Sequence, residues 1–278
     1  MTALQAFLMG LVEGITEYLP VSSTGHLLLA QHLLGIDAGG KSNTAIAAYE
    51  ICIQAGAIFA VLFLYAKRVR SVFAGIFGHD PMGRQLAWNL VTAFLPAAVI
   101  GVLFEKQIKS HLFGMWPVVL AWLIGGLAIL IFTRRYEPAH TAKPAQQLEQ
   151  MTILQALIIG CIQCIAMWPG TSRSLVTILG GMLAGLSAIA AIEFSFLLGL
   201  ITLSAATVFE SLKHGTEIIN TFGLINPLIG FVTAFLAAMA AVKWMVAYLN
   251  RNSLAVFGYY RVALGVAVAS FMVMDFIK

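Results

Sequence analysis

Residues 13–26 of the chain run Glu13-Gly-Ile-Thr-Glu17-Tyr-Leu-Pro20-Val-Ser22-Ser23-Thr24-Gly25-His26. Charged and hydroxyl side chains crowd here between two apolar runs. Pro20 cannot continue a helix, because it lacks an N–H and its ring clashes with the preceding turn. The hydroxyl residues after it are natural N-caps for a new helix. The stretch therefore predicts a helical hairpin with a polar turn.

A second polar turn follows in the other half of the chain, as Pro169-Gly170-Thr171-Ser172-Arg173-Ser174, before a helical run from Leu175. Small residues at a helix N-terminus present backbone N–H groups to an anion. Arg173 adds a planar, permanently charged fork that suits a phosphate. Two half-helices that begin near mid-membrane would direct their positive ends at one point. The two turns together predict an anion site.

Composition places the chain in a bilayer. Of its 278 residues 60% are apolar and 10% are charged, and its mean hydropathy is +0.91. Soluble domains carry about 25% charged residues, so this chain cannot build a charged surface in water. The net charge of +4 comes from short basic clusters between apolar stretches, which orient helices rather than bind nucleic acid.

Six apolar stretches have the length of about 20 residues that a membrane-spanning helix needs. They are Ala45–Ala66, Leu86–Phe104, Trp116–Phe132, Ala188–Phe209, Leu224–Val246 and Leu254–Phe276. Two further apolar regions, Thr2–Leu34 and Thr152–Leu183, are each broken midway by a proline and a hydroxyl-rich turn. A broken segment of this kind is typical of a re-entrant hairpin.

An internal repeat organises these segments. Gln5-Ala-x-x-x-Gly10 recurs as Gln155-Ala-x-x-x-Gly160, Pro20-x-x-Ser23 as Pro169-x-x-Ser172, Ala45-Ile-Ala-Ala-x-Glu50 as Ala188-Ile-Ala-Ala-x-Glu193, and Val91-Thr-Ala-Phe-Leu as Val232-Thr-Ala-Phe-Leu. The offsets shrink in order, from 150 to 149, 143 and 141. We predict an all-α polytopic membrane protein of two inverted-topology repeats, each a re-entrant helical hairpin plus three transmembrane helices. The first covers 1–133, a cytoplasmic linker 134–150, and the second 151–278, with hairpins at 2–34 and 152–183.

Loop charges give an orientation, since cytoplasmic loops carry more lysine and arginine. With Lys67 placed inside, ten basic residues lie inside and five outside, and both termini are outside. Arg261 is one of the ten. An odd number of crossings per repeat makes the second repeat upside down relative to the first.

The hairpin residues suggest chemistry, with plain structural alternatives beside it. Glu13 and Glu17 share one helix face, and two like charges there are unfavourable unless a cation lies between them or one is protonated. Ser23 and His26 are three positions apart, so a hydroxyl and an imidazole could face one point. In the structural alternative, Glu13 and Glu17 only form a buried ion network with Arg173. The hydroxyl residues 22–24 are then ordinary N-caps, and His26 is a histidine of the protein core.

The two motifs, Glu13-Gly-x-Thr-Glu17-x-Leu-Pro-Val-Ser-Ser-Thr-Gly-His26 and Pro169-Gly-x-Ser172-Arg173-Ser174, closely resemble those of the bacterial undecaprenyl-diphosphate phosphatases of the bacitracin-resistance type. The resemblance spans nearly the whole chain. It implies an inner-membrane hydrolase that converts undecaprenyl diphosphate to undecaprenyl phosphate, depends on Mg²⁺ or Ca²⁺, and confers bacitracin resistance. Its functional positions map onto Glu13, Glu17, Ser23, His26, Ser172, Arg173 and Thr177.

On this basis we expect Ser23 to be the nucleophile, His26 the acid/base and Arg173 the phosphate clamp, with Glu17 as metal ligand or base and Glu13 as metal ligand. Substrate contacts are expected from the polar residues of both turns, namely Ser22, Thr24, Gly170, Thr171, Ser172, Ser174 and Thr177. Attack by Ser23 or directly by water stays open.

The expected partners are a polyprenyl diphosphate lipid and the surrounding membrane lipid, with no nucleic acid and a homodimer as the candidate assembly. The expected location is the bacterial inner membrane, with the site facing outward. The alternative function is a transporter or flippase of the polyprenyl phosphate carrier lipid, because inverted repeats with broken helices also build transporters.

Overall fold

The structure, a computed structural model, describes residues 1–36, 42–112, 114–136 and 145–274. Its regular structure is helical. The α-helices are α1 (Ala3–Thr16), α2 (Ser23–Leu33), α3 (Ser42–Leu64), α4 (Ala66–Ile76), α5 (Pro81–Leu112), α6 (Met115–Arg135), α7 (Ile153–Gln163), α8 (Arg173–Leu183), α9 (Ala188–Phe222), α10 (Ile225–Leu249) and α11 (Ala255–Val273). Short 3₁₀ turns lie at Leu148–Gln150 and Cys164–Met167.

Long apolar helices confirm the predicted class, an all-α polytopic membrane protein. Within the described residues five helices, α5, α6, α9, α10 and α11, are long and apolar enough to cross a membrane. A sixth crossing results if α3 and α4 count as one broken span, since they meet at an angle of 81°. The predicted span Ala45–Ala66 is thus a helix that turns sharply at Tyr65.

Both predicted hairpins are pairs of short helices. Helix α1 ends at Thr16 and α2 starts at Ser23, while α7 ends at Gln163 and α8 starts at Arg173. Each of the four is shorter than the about 20 residues needed to span a bilayer, and the helices of each pair pack on one another. This arrangement supports re-entrant hairpins, whose depth in a bilayer stays a prediction.

Each hairpin packs on a helix from the other half of the chain. Helix α1 lies mainly against α10, and α7 lies against α5. Small residues permit the close approach: a Cβ at Gly10 would overlap the backbone of Gly230, and one at Gly160 would lie 2.8 Å from the Cα of Ala93. Close contact of small residues is how membrane helices gain packing energy without a hydrophobic driving force.

Matched hydrogen bonds recur in the two halves. The Gln5 side chain donates to the carbonyl of Leu34 at 3.0 Å, and Gln155 donates to Ala184 at 2.7 Å. The residue just before each hairpin is held in a similar way. The carbonyl of Met1 accepts from the side chain of Asn226, and that of Met151 accepts from Gln85, both at 2.9 Å. These pairs support the duplication, while the inverted orientation and the domain boundaries stay predictions.

One residue of the charge count is misplaced. Arg261 was counted among the cytoplasmic loop charges, but it lies within α11 and is 0% exposed. Its charge cannot act at a membrane surface, because the guanidinium is enclosed by protein. The orientation prediction therefore has one supporting charge fewer.

Candidate active site

The two hairpin turns share one backbone geometry. Ser22 and Ser172 have φ of 77° and 75°, the only positive φ values among the non-glycine residues described. Such conformations cost about 1–3 kcal/mol each and cluster at functional sites. Each serine caps its helix, with its Oγ accepting from the N–H of Gly25 or of Leu175.

This equivalence corrects the alignment of the turns. Ser22 and Ser172 are 150 residues apart, whereas the sequence comparison paired Ser23 with Ser172. Ser23 therefore corresponds to Arg173, each the first residue of its helix. The same position carries a hydroxyl in one hairpin and a guanidinium in the other.

The carboxylate of Glu17 joins these two side chains. The Ser23 hydroxyl donates a short hydrogen bond to Glu17 Oε2. Arg173 Nη2 lies 3.2 Å from Glu17 Oε1 and donates to it. The side chains of Glu17 and Arg173 are 7% and 10% exposed, so this is a nearly dry ion pair. The predicted residues Glu17, Ser23 and Arg173 thus meet at one point.

The guanidinium of Arg173 is placed from several sides. Its Nη1 donates to the carbonyl of Ser195 at 3.0 Å, and its Cζ lies 5.6 Å from the ring centre of Tyr18. A side chain at Gly199 would overlap the guanidinium, so glycine leaves it room. Its buried Nε has no hydrogen-bond partner among the described residues. The two hydrogen bonds use two of the five guanidinium N–H groups, so donors remain for a ligand.

Glu13 lies one helical turn before Glu17, whose N–H donates to the Glu13 carbonyl at 2.9 Å. The residue is 2% exposed, and its Oε2 has no hydrogen-bond partner among the described residues. A buried carboxylate oxygen without a donor is costly unless it binds a cation or a proton. This suits the predicted metal-ligand role, which stays a prediction.

His26 does not bond to Ser23. Its Nδ1 lies 2.7 Å from the Ser22 carbonyl, and its Nε2 lies 2.7 Å from the Tyr260 hydroxyl. A carbonyl only accepts, so we assign the proton of the neutral ring to Nδ1, and Nε2 accepts from Tyr260. His26 is thus held by its own turn and by α11, and Glu17 lies beside Ser23.

The other predicted contact residues differ in their surroundings. Ser172 and Ser174 donate to the Leu19 carbonyl at 3.4 and 2.9 Å, which ties the second hairpin to the first. Thr177 contacts the Ser195 hydroxyl at 2.6 Å. Thr24 is exposed and Thr171 is buried. Their predicted substrate contacts stay predictions.

The sequence did not indicate Tyr260, Arg261 or Trp122. Arg261 donates to the carbonyls of Pro20 and Gly170, and Trp122 Nε1 donates to Val21 at 3.1 Å. All three come from helices far along the chain, and Arg261 and Trp122 bind backbone atoms, whereas Tyr260 binds the ring of His26. One sequence signal pointed to Arg261: it lies within the predicted span Leu254–Phe276, and intramembrane charges are usually functional.

A groove leads from Arg173 to the outer surface of the helix bundle. It is a cavity of about 490 Å³ between α5, the Cys164–Met167 turn and α9. Its walls are mostly apolar, with Phe94, Ala98, Ala205 and Phe209 among the lining residues. Val102 at its edge is 74% exposed, so the cavity opens on the outer surface of the helix bundle.

Comparison with known proteins gives a consistent result. The family model described as "Bacitracin resistance protein BacA" matches residues 6–267. The chain is 44% identical over 264 residues to an undecaprenyl-diphosphatase of Sorangium cellulosum, covering 95% of this chain and 84% of the relative. It is 44% identical to undecaprenyl-diphosphatase 2 of Rhodospirillum rubrum, with 95% and 93% covered. It is 42% identical to undecaprenyl-diphosphatase 3 of Acinetobacter baylyi, with 96% of each covered.

Proposed function

Because the chain belongs to the bacitracin resistance protein BacA family, we propose that it hydrolyses undecaprenyl diphosphate to undecaprenyl phosphate and inorganic phosphate. Similar proteins named undecaprenyl-diphosphatase support this proposal. The observation that carries it is the Glu17 carboxylate, which binds the Ser23 hydroxyl and the Arg173 guanidinium together. A base, a nucleophile and a phosphate clamp are the parts that phosphoryl transfer needs.

The first step is attack by Ser23 on the terminal phosphorus. As the bond from Oγ to phosphorus forms, the bond to the bridging oxygen breaks, and the hydroxyl proton passes to Glu17 Oε2. Undecaprenyl phosphate leaves. Water then replaces Oγ on phosphorus, and Glu17 returns the proton to Ser23. In the competing route Glu17 takes a proton from a water that attacks phosphorus directly, the bond to the bridging oxygen breaks, undecaprenyl phosphate leaves, and the inorganic phosphate takes the proton back from Glu17.

Arg173 binds the phosphate that is transferred. It is already held by Ser195 and Glu17, so its fork is positioned before substrate arrives and loses little freedom on binding. The N-termini of α2 and α8 add backbone N–H groups and positive dipole ends to the same point. Charge that develops on the phosphoryl oxygens thus meets donors already in place.

His26 stays a candidate acid. Its Nε2 is engaged by Tyr260, so protons would reach it through that hydroxyl. We assign the base for Ser23 to Glu17, because Glu17 contacts the nucleophile and His26 does not. The spacing of Ser23 and His26 predicts that His26 is both acid and base, whereas we assign the base to Glu17 and keep His26 only as an acid.

A divalent cation fits the acidic side of the site. Within the described residues no group of three or more His, Cys, Asp or Glu could hold a metal ion. Mg²⁺ is commonly bound by only one or two carboxylates together with substrate phosphates, and Glu13, with its unpartnered oxygen, and Glu17 supply two. When bound, the cation neutralises diphosphate charge. Mg²⁺ or Ca²⁺ remains our proposal for the cofactor.

The groove beside Arg173 is where we place the start of the polyprenyl chain. Its apolar walls suit a prenyl chain, which passes from lipid into the groove without meeting water, so van der Waals packing rather than the hydrophobic effect stabilises binding there. The cavity is too small for a whole polyprenyl chain, so the rest stays in the bilayer. Such a groove explains how a lipid can place its diphosphate at Arg173 without leaving the membrane.

The location and assembly remain proposals. We place the chain in the bacterial inner membrane with the site facing outward, supported by the family and by the loop charges. The homodimer is tested by light scattering of the detergent-solubilised protein.

The decisive experiment is phosphate release from a long-chain prenyl diphosphate by purified protein in detergent. Wild type should release phosphate, and Ser23→Ala should not. Ala98→Phe should raise KM for the long-chain substrate, whereas Val99→Phe on the lipid-facing side of the same helix should not. Absence of phosphate release by wild type would overturn the proposal and favour the flippase.

A further inference from the structure

Arg261 is the most deeply buried cation described. The residue is 0% exposed within α11, between α6 and the two hairpin turns. Its Nη1 donates to Pro20 at 3.3 Å, and its Nη2 donates to Ala121 at 2.7 Å and Gly170 at 2.9 Å, all backbone carbonyls. No carboxylate of the described residues forms an ion pair with it. A charge in this position is solvated only by peptide dipoles.

These carbonyls connect three separate parts of the fold. Pro20 stands two residues before Ser22, the cap of α2, and Gly170 stands two residues before Ser172, the cap of α8. Ala121 lies in α6. One guanidinium therefore holds equivalent positions of the two turns against the same helix. A point charge such as an ammonium could not span them.

Other side chains fix the same turn of the first hairpin. The Leu19 carbonyl accepts from Ser174, and the Val21 carbonyl accepts from Trp122. Arg261 donates to the carbonyl of Pro20, which lies between these two. Hence three successive carbonyls of the turn are held by α8, α11 and α6, and Arg261 alone among these three side chains binds backbone carbonyls of both turns.

The placement of the turns decides the active geometry. Ser23 and Arg173 start the helices that the two turns introduce, and they meet at Glu17 only if the helices keep their relative position. We propose that Arg261 is a positioning residue: its guanidinium locks the two turns in one register so that Ser23 and Arg173 converge on Glu17. It acts through the turns rather than on substrate, since its three hydrogen bonds all go to backbone carbonyls, and its buried Nε has no hydrogen-bond partner among the described residues. The inference rests on the proposed function.

Space for this lock is built into α6. A Cβ at Gly125 would overlap Nη2 and lie 2.9 Å from Cζ of Arg261. Gly125→Ala therefore displaces the guanidinium while the arginine and its charge remain. This gives a second perturbation, independent of removing the side chain.

The first test is Arg261→Lys, with Arg251→Lys as the matched control in the exposed α10–α11 loop. We expect kcat for phosphate release to fall about 100-fold, the cost of misplacing catalytic groups by about 1 Å. KM should change less than kcat, because the groove that holds the prenyl chain is not part of the lock. Arg251→Lys should match wild type. Wild-type kcat in Arg261→Lys would overturn the proposal.

Hydrogen exchange by mass spectrometry separates positioning from other roles. In Arg261→Lys, peptides covering 17–27 and 169–177 should both exchange faster, while peptides of α10 stay protected. Lost activity with unchanged exchange at both turns would instead make Arg261 a substrate contact. Faster exchange throughout the protein would make it a general packing residue. Either result refutes the lock. This measurement needs no activity, so it remains decisive even if the wild type proves not to hydrolyse the lipid.

Gly125→Ala covers the case in which Arg261→Lys fails to fold. We expect the same loss of kcat and faster hydrogen exchange in the same two peptides. The control is Gly265→Ala at the same α6–α11 interface, where the added Cβ would lie 2.9 Å from Leu123. It should leave kcat unchanged. If both variants fold, combining Gly125→Ala with Arg261→Lys should add little, since both break one interaction. Additive losses would show that the two residues act separately.

Discussion

Glu17→Gln removes one charge from the proposed site and keeps its shape. The amide oxygen can still accept from Arg173, whose Nη2 lies 3.2 Å from Glu17 Oε1. The amide cannot take the proton of the Ser23 hydroxyl, which now bonds to Oε2. Geometry is thus largely kept while the base is lost.

The expected magnitude follows from that loss. A general base contributes about 10²–10⁴-fold, so the barrier should rise by about 2.7–5.4 kcal/mol at 1.36 kcal/mol per tenfold. Arg173 also loses a nearly buried ionic partner, and breaking a buried pair costs up to about 3–5 kcal/mol of stability. The amide dipole retains part of this, so the melting temperature should fall less than deletion of the side chain would lower it.

Affinity for an anion, unlike kcat, should not fall in this variant. Glu17 competes with substrate phosphate for Arg173 and repels it, so without Mg²⁺ the variant should bind inorganic diphosphate as tightly as wild type or more tightly. The assays are single-turnover phosphate release and calorimetric titration with inorganic diphosphate. If the variant keeps wild-type kcat, Glu17 is not the base. A fall in kcat that is matched by lost diphosphate affinity would assign Glu17 to binding instead.

Glu13→Gln is the matched control, one helical turn earlier. If Glu13 serves only as a cation ligand, its variant should need more Mg²⁺ but recover kcat at saturation. Glu17→Gln should not recover kcat, and its Mg²⁺ midpoint should rise too if Glu17 also holds the cation. A magnesium titration of both variants measures this difference.

Three further outcomes are expected. Arg173→Lys should lose most phosphate release, because an ammonium cannot bind a phosphate through a bidentate fork; wild-type turnover would contradict the clamp. His26→Ala should slow turnover by about 10²–10⁴-fold and Tyr260→Phe by about tenfold, one hydrogen bond's worth, measured as kcat against pH; equal effects would show that His26 acts only through the tyrosine. Cysteines placed near Lys106 and near Lys213, in a background without native thiols, should both react with an impermeant maleimide from outside, and labelling from opposite faces would refute the inverted repeats.

Local chemistry made the fold predictable. Pro20 and the serines after it mark a break in a helix by sterics and capping alone, and the structure breaks α1 from α2 there. Apolar length similarly placed α5, α6, α9, α10 and α11. Sequence could not show the sharp turn at Tyr65, because no residue type there forbids a straight helix.

Long-range contacts limited the prediction of the site. Ser23 and His26 are one helical turn apart, which brings their Cβ atoms close. Yet Ser23 turns toward Glu17 and His26 toward Tyr260, 234 residues away. The role of Arg261 was hidden for the same reason, since its partners are backbone carbonyls that carry no side-chain signature.

Each hairpin packs on a helix from the other half of the chain, and this has a consequence for biosynthesis. Helix α7 is made when its packing partner α5 already exists, but α1 leaves the ribosome long before α10, on which it packs. Glu13, Glu17 and Ser23 belong to the first hairpin and are therefore synthesised early and buried late. Through most of translation the first hairpin therefore lacks its main packing partner and has only the neighbours made early, such as α2 and α3. A chain truncated before Ile225 would keep every residue of the first hairpin and lack the helix against which α1 mainly packs.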